Sequence, residues 1–388
     1  MSLKNKFLEH LKSSLPGLRS NAELDSLISD NLLSPFVIEL PKAVLAQAQA
    51  SVALLYGLRE KPAYIDSYSS ELSALRVSDP KNKSIAMSYD FHVTAENEIK
   101  LIEVNTNASF LALGYEMYQM HGSQLPVSDF SMEEIRLNVE NEMALQGKSA
   151  ASNFRIATID DHPEQQRLYA EFLVYDQYFK KWGWDSKIAD FREVQLGGTD
   201  FVYNRYTDFL LQETESAALK KHFDDGSVCF SPNPFEYFLL ADKQRMIDWS
   251  QPANLDKWEV SASDRKLLSV VVPACMDINS ELQEDVWARR KGLFFKPKRA
   301  FGSKQSFRGA SISRKAFNEI IGHEFIAQEY VPAPELTFET PEGKQAFKYD
   351  IRCYAYQGRL QLIVARLYQG QVTNLRTPYG GFACVRFV

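Results

Sequence analysis

The chain has 388 residues, of which 45% are hydrophobic and 24% are charged. This length corresponds to two or three domains, and the composition is typical of a globular protein. The net charge of −6 argues against a nucleic-acid partner, because binding to a phosphate backbone requires a basic surface.

The sequence also excludes several common classes of protein. No run of about 18 apolar residues predicts a membrane-spanning helix, and the charged, amphipathic first residues do not resemble a signal peptide. Walker A, G-x-G-x-x-G, G-x-S-x-G and H-E-x-x-H motifs are missing. We expect a cytoplasmic protein with reduced thiols, because no C-x-x-C pair or zinc spacing occurs among the four cysteines, Cys229, Cys275, Cys353 and Cys384.

Residues 1–83 are predicted to form a helical region. Residues 40–56 are rich in alanine and leucine, with a proline in the first turn and Gly57 as a stop signal. An alternating pattern over residues 84–105 then predicts two strands joined by a polar connection at 95–98. The helical pattern returns at 131–146.

A separate α/β unit is predicted over residues 151–240. Four short apolar strands alternate with helical segments there, which is typical of an open parallel sheet. Arg205 follows the third strand and could contact a substrate carboxylate, although a structural ion pair explains it equally well. Farther along, strands are predicted near 292–297 and 324–331, and the last fifty residues are predicted to be all-β, with a hairpin turn at Gln357–Gly358.

The hairpin at 84–105 carries the first candidate site. With a four-residue loop, Asp90 should lie opposite Glu103, while His92 faces Leu101 and Ser88 faces Asn105. Opposed carboxylates repel each other unless a cation lies between them, and Mg²⁺ prefers carboxylate and phosphate oxygens. An ordinary hairpin with a solvated polar face is the alternative. The opposite, apolar face is predicted to hold Met87, Tyr89, Phe91, Ile102 and Val104.

Two further motifs carry positive charge. Lys296 ends a strand that leads into a loop containing Gly302, Ser303 and Lys304, and such a loop can hold a polyphosphate or be merely a solvated basic loop. Arg352 and Arg366 lie inside the C-terminal hairpin, where burial requires an anionic partner or a cross-strand carboxylate. A two-residue turn places these arginines on opposite faces, so only a bulge could direct both to one ligand.

Together these motifs resemble the ATP-grasp superfamily over most of residues 84–388. Phe-Phe-Lys296-Pro and the loop after it resemble the phosphate-binding lysine and flexible loop of that family, and the lysine of Ala-Asp-Lys243 resembles its second nucleotide lysine. The segment from Gln328 to Val331 resembles the adenine hinge. Asp90 and the motif Glu103-x-Asn105 resemble its metal ligands. Glu335 is placed like the ribose-binding acid of the family. The motifs Asp350-x-Arg352, Arg366, Asn374 and Gly380-Gly381 are similar to the C-lobe of glutathione-synthetase-like ligases.

The order of the motifs implies a circular permutation. In the usual order the E-x-N motif follows the Gly-Gly segment, whereas here it precedes every other motif, as in ligases that resemble glutathionylspermidine synthase. The implied fold is α/β (α+β), a permuted ATP-grasp fold with a parallel-sheet substrate domain. Residues 84–130 should then pack with 336–388. The implied segments are a helical region (1–83), the metal-binding part of the C-lobe (84–150), a pre-ATP-grasp substrate domain (151–240), the N-lobe (241–335) and the rest of the C-lobe (336–388).

The resemblance implies an ATP-dependent, ADP-forming carboxylate–amine ligase with Mg²⁺ or Mn²⁺, acting through an acyl phosphate on a small amino-acid or peptide-like substrate. A phosphotransferase and a non-catalytic ATP-binding module are the alternatives. Neither nucleic acid nor membrane is expected as a partner, and the sequence leaves open the identity of acid and amine and whether the chain forms a homo-oligomer. The implied roles are nucleotide binding by Lys243, Lys296, Gly302, Ser303, Lys304, Gln328, Glu329, Val331 and Glu335, metal binding by Asp90, Glu103 and Asn105, catalysis by Arg352 and Arg366, and substrate binding by Arg205, Asn374, Gly380 and Gly381.

Overall fold

The computed structural model describes residues 1–150, 153–279, 281–299 and 306–388. These residues form a mixed α/β structure with three β-sheets, one of them parallel and two mainly or wholly antiparallel. In this part of the chain, none of the helices combines the length and the apolarity needed to cross a bilayer.

The secondary-structure elements are numbered in chain order. The helices are α1 Leu3–Ser14, α2 Leu24–Leu27, α3 Lys42–Arg59, α4 Pro62–Ser67, α5 Ser69–Ala74, α6 Leu111–His121, α7 Met132–Leu145, α8 Tyr169–Lys181, α9 Ala217–Asp224, α10 Pro234–Glu236, α11 Gln244–Trp249, α12 Pro252–Lys257, α13 Ala262–Val271, α14 Gln283–Arg289 and α15 Arg314–Ile320. The strands are β1 Leu33–Leu40, β2 Met87–Val93, β3 Ile99–Asn105, β4 Arg155–Asp160, β5 Asp185–Asp190, β6 Phe201–Asn204, β7 Cys229–Ser231, β8 Cys275–Asp277, β9 Leu293–Pro297, β10 Phe307–Arg308, β11 Phe325–Glu329, β12 Glu335–Thr340, β13 Gly343–Tyr356, β14 Arg359–Tyr368 and β15 Gly381–Phe387.

The large sheet joins the two ends of the described chain. Its strand order is β1-β15-β14-β13-β2-β3, and β12 adds to β13. The antiparallel pairing of β2 with β13 places Asp90 beside Arg352, so the predicted packing of residues 84–130 with 336–388 is confirmed. Helices cover both faces of the large sheet. Alternate residues of its strands point to opposite faces, and those of the two faces belong to two different hydrophobic clusters, each of which also contains helix residues.

The prediction that residues 1–83 are helical is wrong for β1. This strand pairs in parallel with β15, at the edge of the large sheet. Its register shifts between Leu33 and Val37, around Pro35, which has no backbone N–H to donate to a ladder. The strand depends on a partner more than 300 residues away in the chain, and local hydrophobic periodicity carries no information about that partner.

The predicted parallel sheet is confirmed, with the order β5-β4-β6-β7. The remaining sheet, β10-β9-β11-β8, is antiparallel and faces the hairpin of β2 and β3. Two side chains connect this smaller sheet to β3, since Lys296 donates to the carbonyl of Ile102 at 2.8 Å and Gln328 donates to that of Leu101 at 3.3 Å. The space between the two sheets is therefore closed on one side by β3.

The β2–β3 hairpin follows the predicted register only at its polar end. Asp90 lies opposite Glu103 and Ser88 opposite Asn105, as expected. The loop has five residues and not the predicted four, because Val93 pairs with Ile99, so His92 lies opposite Lys100 and not Leu101. A bulge between Asp90 and Phe91, where Ile102 is the extra residue, then restores the predicted register. The extra residue reverses the alternation locally, and Ile102 faces the cavity described below rather than the apolar core.

A second bulge lies in the C-terminal hairpin. The register of β13 and β14 shifts between Tyr354 and Ala355, after a turn at the predicted position. Beyond that shift Arg352 pairs with Val364 and Asp350 with Arg366, so both arginines lie on one face of the sheet. A bulge was the condition, inferred from the sequence, for Arg352 and Arg366 to reach one ligand.

Candidate active site

A cavity of about 460 Å³ lies between the large sheet and the smaller antiparallel sheet. This volume is within the range of small-molecule sites. Its described lining carries six lysine and arginine side chains and three carboxylates, which favours an anionic ligand. The charged lining residues are Arg167, Lys243, Lys296, Lys348, Arg352 and Arg366 together with Glu103, Glu329 and Asp350.

The cavity brings together most of the residues singled out in the sequence. Those that line it are Glu103, Asn105, Lys243, Lys296, Gln328, Glu329, Val331, Arg352, Arg366 and Asn374. Asp90 lies directly beneath this surface and is fully buried. Gly302, Ser303 and Lys304 lie outside the described residues, so their predicted role stays a prediction.

Lys296 is placed by β9 at the wall formed by the smaller sheet. Only 7% of the residue is exposed, and its ammonium group donates to the carbonyl of Ile102. Burial lowers the pKa of Lys296 to about 8, although the nearby carboxylate of Glu103 opposes this shift. A desolvated cation of this kind interacts with an anionic ligand more strongly than an exposed lysine does.

The segment that follows β11 closes one side of the cavity. Gln328 is buried, and the backbone of Tyr330 donates to Gly292 at 2.8 Å. Nδ1 of His92 lies 3.0 Å from the carbonyl oxygen of Val331, so the hairpin of β2 and β3 is hydrogen-bonded to this segment. Burial lowers the pKa of His92, which favours the neutral imidazole. The structure thus assigns His92 a positioning contact.

An acidic corner is formed where β2 and β3 lie side by side. The amide nitrogen of Asn105 is 3.4 Å from Oδ2 of Asp90 and 3.4 Å from Oε1 of Glu103. The carboxylate of Glu103 forms no ion pair with a described residue and faces the cavity. One amide donor thus stands between two carboxylates, at a point that a cation could share.

The two candidate catalytic arginines are both held by carboxylates. Arg352 forms a bidentate ion pair with Asp90, with distances of 2.9 Å from Nε to Oδ1 and 2.7 Å from Nη2 to Oδ2. Arg366 bridges Asp90 at 2.9 Å and Asp350 at 2.7 Å. Burial by itself would raise the pKa of Asp90, but the two arginines outweigh burial and hold it at about 2. The cross-strand salt bridges that the sequence offered as the alternative are therefore present.

Besides the buried Asp90, four of the predicted residues that the structure describes do not line the cavity, namely Arg205, Glu335, Gly380 and Gly381. Arg205 is buried and donates to the carbonyl of Ala108 at 3.1 Å and to the hydroxyl of Ser109, so it supports the loop after β3, and its substrate contact stays a prediction. Glu335 lies at the start of β12, opposite Lys348, and is exposed.

The two glycines at the start of β15 serve packing. A Cβ on Gly381, whose φ is +95°, would approach the carbonyl oxygen of Asn31 to 2.4 Å. A Cβ on Gly380 would approach the carbonyl oxygen of Leu367 to 2.7 Å. The close approach of neighbouring backbone explains why glycine stands at both positions, and their substrate contact stays a prediction.

Several cavity residues were missed in the sequence. Asp350 was noted only as part of a motif, whereas Asn107, Ser109 and Arg167 were not singled out. Arg167 belongs to the loop after β4, and loops that follow the carboxyl ends of parallel strands commonly line ligand crevices. The rule would indicate Arg167 only with a helix that begins at Tyr169, as α8 does, whereas the sequence pattern predicts a helix from Pro163 that includes Arg167.

A second group of metal-binding residue types lies at the end of the parallel sheet. The ligand atoms of Asp161, His162 and Asp190 lie within 4.8 Å of one another. Arg192 forms salt bridges with Asp161 at 2.7 Å and with Asp190 at 3.2 Å. The guanidinium group neutralises this cluster, so we assign no metal to it.

A second cavity, of about 650 Å³, lies behind the segment that follows β11. It shares Glu329, Tyr330 and Val331 with the first cavity, but most of the rest of its wall is apolar, with Trp249 and Leu268 among the contributing side chains. Its described lining lacks the concentration of charge found in the first cavity, which therefore remains the candidate active site.

Comparison with known proteins gives no family. No protein-family model and no curated protein sequence matches the chain. Among solved structures, the crystal structure of a "Putative gamma-glutamylcysteine synthetase" from Methylobacillus flagellatus KT is similar, with 7% identity, a TM-score of 0.45, and coverage of 86% of this chain and 85% of that one. D-cycloserine synthetase DcsG has 15% identity, a TM-score of 0.33, and coverage of 56% and 75%. At TM-scores below 0.5, neither likeness defines the class of this protein.

Proposed function

We propose that the chain is an ATP-dependent, ADP-forming carboxylate–amine ligase with a circularly permuted ATP-grasp arrangement. The observation that supports this proposal most is the cavity between the large sheet and the smaller sheet, where a buried lysine on one sheet faces a carboxylate on the other that forms no ion pair with a described residue. Cationic side chains bind the phosphates of a nucleotide and carboxylates hold its metal, so these two charges fit both groups.

Nucleotide binding is assigned to the wall formed by the smaller sheet. Lys296 and Lys243 would neutralise phosphate charge, and the residues from Gln328 to Val331 would contact the base. The proposal rests on their common position along one cavity wall, with Lys296 too buried to be an ordinary solvated lysine.

The acidic corner fits a hard divalent cation such as Mg²⁺. Glu103 and Asn105 offer oxygen atoms to the cavity, and Asp90 lies behind them. Such oxygen donors are the ligands that Mg²⁺ prefers, and bound Mg²⁺ would neutralise charge on the phosphates. Because both oxygens of Asp90 already contact arginines, we assign the direct ligation to Glu103 and Asn105 and a supporting role to Asp90.

The chemistry needs no covalent enzyme nucleophile. The γ-phosphoryl group passes to an oxygen of the substrate carboxylate, which gives ADP and an acyl phosphate. The amine then attacks the carbonyl carbon, inorganic phosphate leaves, and the nitrogen loses a proton. Arg352 and Arg366 lie at the cavity surface, where their positive charge would stabilise the oxyanion of this second step.

The test is release of phosphate from Mg-ATP with a panel of amino acids and polyamines, supplied singly and in pairs. A ligase releases phosphate only when an acid and an amine are both present. Transfer of phosphate to a single substrate without a stable amide product would assign a phosphotransferase instead. Tight Mg-ATP binding without turnover across the panel would favour a binding module.

Replacement of Lys296 by methionine should weaken Mg-ATP binding by about 100-fold, because the cavity loses a desolvated cation that pairs with phosphate. Isothermal titration with Mg-ATP measures the change. The matched control is Lys291→Met, at an exposed lysine that precedes the same strand and does not line the cavity. Equal affinities of the two variants would contradict the placement of the phosphates.

A further inference from the structure

One part of the cavity wall has no role in the nucleotide assignment above. It is built by the loop after β3, the residues before α8 and the segment 371–375 that precedes β15. The parallel-sheet domain contributes to this wall through Arg167 and Leu168. Three separate parts of the chain thus converge on a surface that neither Lys243 nor Lys296 occupies.

Arg167 brings an uncompensated positive charge to this wall. Its Nη2 donates to the carbonyl oxygen of Leu375 at 2.7 Å, a neutral acceptor that fixes the side chain without cancelling its charge. Within the described ranges, no carboxylate forms an ion pair with Arg167. This distinguishes it from Arg352 and Arg366, each of which is held by an aspartate.

A second arginine lies beside the first. Arg376 directly follows Leu375, the residue whose carbonyl oxygen Arg167 contacts at 2.7 Å, and both arginines are exposed. Burial lowers the pKa of Arg167, and the positive charge of Arg376 lowers it further. Arg376 follows the cavity-lining segment 371–375, and its backbone N–H donates to Oδ1 of Asn374 at 3.0 Å. The described residues supply no carboxylate to Arg376 either. Adjacent like charges are unfavourable unless an anion lies between them.

The predicted substrate residue Asn374 fixes this turn. Its Nδ2 donates to the carbonyl of Gln369 at 2.9 Å, and its Oδ1 accepts from the hydroxyl of Thr377 at 3.1 Å as well as from the backbone of Arg376. The amide is therefore engaged within its own loop. Its contribution at this wall is to hold Arg376, and the recognition of a ligand falls to the arginines.

We propose that Arg167 and Arg376 bind a carboxylate of the substrate that does not react, as in an amino acid or a short peptide. This proposal rests on the proposed ligase function, because that function defines the other group of the substrate, the one that reacts. Guanidinium groups bind carboxylates through paired, charge-assisted hydrogen bonds. Leu168 and Leu375 beside Arg167 offer apolar contact for the carbon chain. Phosphate is assigned elsewhere in the same cavity, to the buried lysine.

The experiment compares acids with their neutral amides. Isothermal titration of the full chain, without nucleotide, measures binding of L-amino acids and dipeptides, each beside its C-terminal carboxamide. At least one acid should bind about 10-fold more tightly than its amide, which corresponds to about 1.4 kcal/mol. Arg167→Gln should abolish this preference, because the shorter and neutral side chain lacks the guanidinium group, and Arg376→Gln should reduce it.

The control variant is Arg136→Gln, at an arginine that pairs with glutamates on the surface of α7 and does not line either cavity. It should keep the acid preference of the unmodified protein. Lack of any acid-over-amide preference in the unmodified protein, including lack of all binding, would overturn the proposal, as would a preference that survives Arg167→Gln.

Titration with Mg-ATP separates this proposal from the ligase function. If the protein prefers acids in a way that depends on Arg167 but does not bind Mg-ATP, the carboxylate site is supported and the ligase function is contradicted. If the protein binds and turns over Mg-ATP but shows no preference for acids, the ligase function is supported and the carboxylate site is contradicted. In Arg167→Gln itself, Mg-ATP binding should persist, because its phosphates are assigned to Lys243 and Lys296.

Discussion

Replacement of Glu103 by alanine should reduce turnover of Mg-ATP by about 1,000-fold or more while the chain remains folded. Glu103 faces the cavity and is partly exposed, so its side chain contributes little to the apolar core. It is also the carboxylate of the acidic corner that no arginine or lysine of the described residues neutralises. Loss of the proposed metal ligand would remove the charge stabilisation that phosphoryl transfer requires.

The control for this variant lies on the same hairpin. Glu98 is an exposed acid that pairs with Lys100 and does not line the cavity, so Glu98→Ala should keep full turnover. Binding of Mn²⁺ in the presence of ATP gives a readout that does not depend on turnover, and it should be weakened only in Glu103→Ala. Turnover near the unmodified level in Glu103→Ala would contradict the metal assignment.

Replacement of Asp90 by asparagine should lower the free energy of unfolding by about 3–5 kcal/mol, because it leaves two buried guanidinium groups without their shared anion. Asp90 is fully buried, and Arg352 and Arg366 both donate to it. Urea denaturation followed by circular dichroism measures the loss. The double variant Asp90→Asn/Arg352→Met should recover part of it, since one uncompensated charge is removed.

The exposed pair of Asp285 and Arg289 provides the comparison. Both side chains are more than half exposed, so Asp285→Asn should cost at most about 1 kcal/mol. A loss of similar size in Asp90→Asn would mean that the arginines do not depend on Asp90.

The stability of the unmodified chain should also depend on pH in a defined direction. The pKa of Asp90 in the folded state, about 2, lies below its ordinary value of 3.8. The stabilisation is therefore present above about pH 4 and is lost as the pH falls towards about 2. The free energy of unfolding should fall less steeply in Asp90→Asn across this window. Identical slopes for the two proteins would contradict the assigned ion pairs.

Local sequence patterns predicted much of the fold. The alternation of residues 84–105 identified β2 and β3. Asp90 does lie opposite Glu103, but the loop has five residues instead of the predicted four, and a bulge restores the predicted register. The four strands of the parallel sheet and the hairpin turn at Gln357–Gly358 were found in the same way. Such elements are predictable because side-chain periodicity and turn residues depend on neighbours within a few positions.

The errors occurred where a distant part of the chain decides the outcome. β1 forms by pairing with β15, and a loop of five residues instead of four placed His92 opposite Lys100. In each case the deciding contact is made by residues far away in the sequence, or by one inserted residue that changes no hydrophobic pattern.

The sequence by itself determined which residue types are available and which of them share a strand. It separated polar from apolar faces, and it placed Glu103, Asn105 and Lys296 among the candidates before any contact was known. Only the tertiary structure decided what each charge faces. Arg352 meets Asp90 across 262 positions of the chain, whereas Arg167 meets a neutral carbonyl and keeps its charge available. The reason is physical, because the energy of a buried charge depends on the groups around it in space, and these come from strands and loops that only the folded chain brings together.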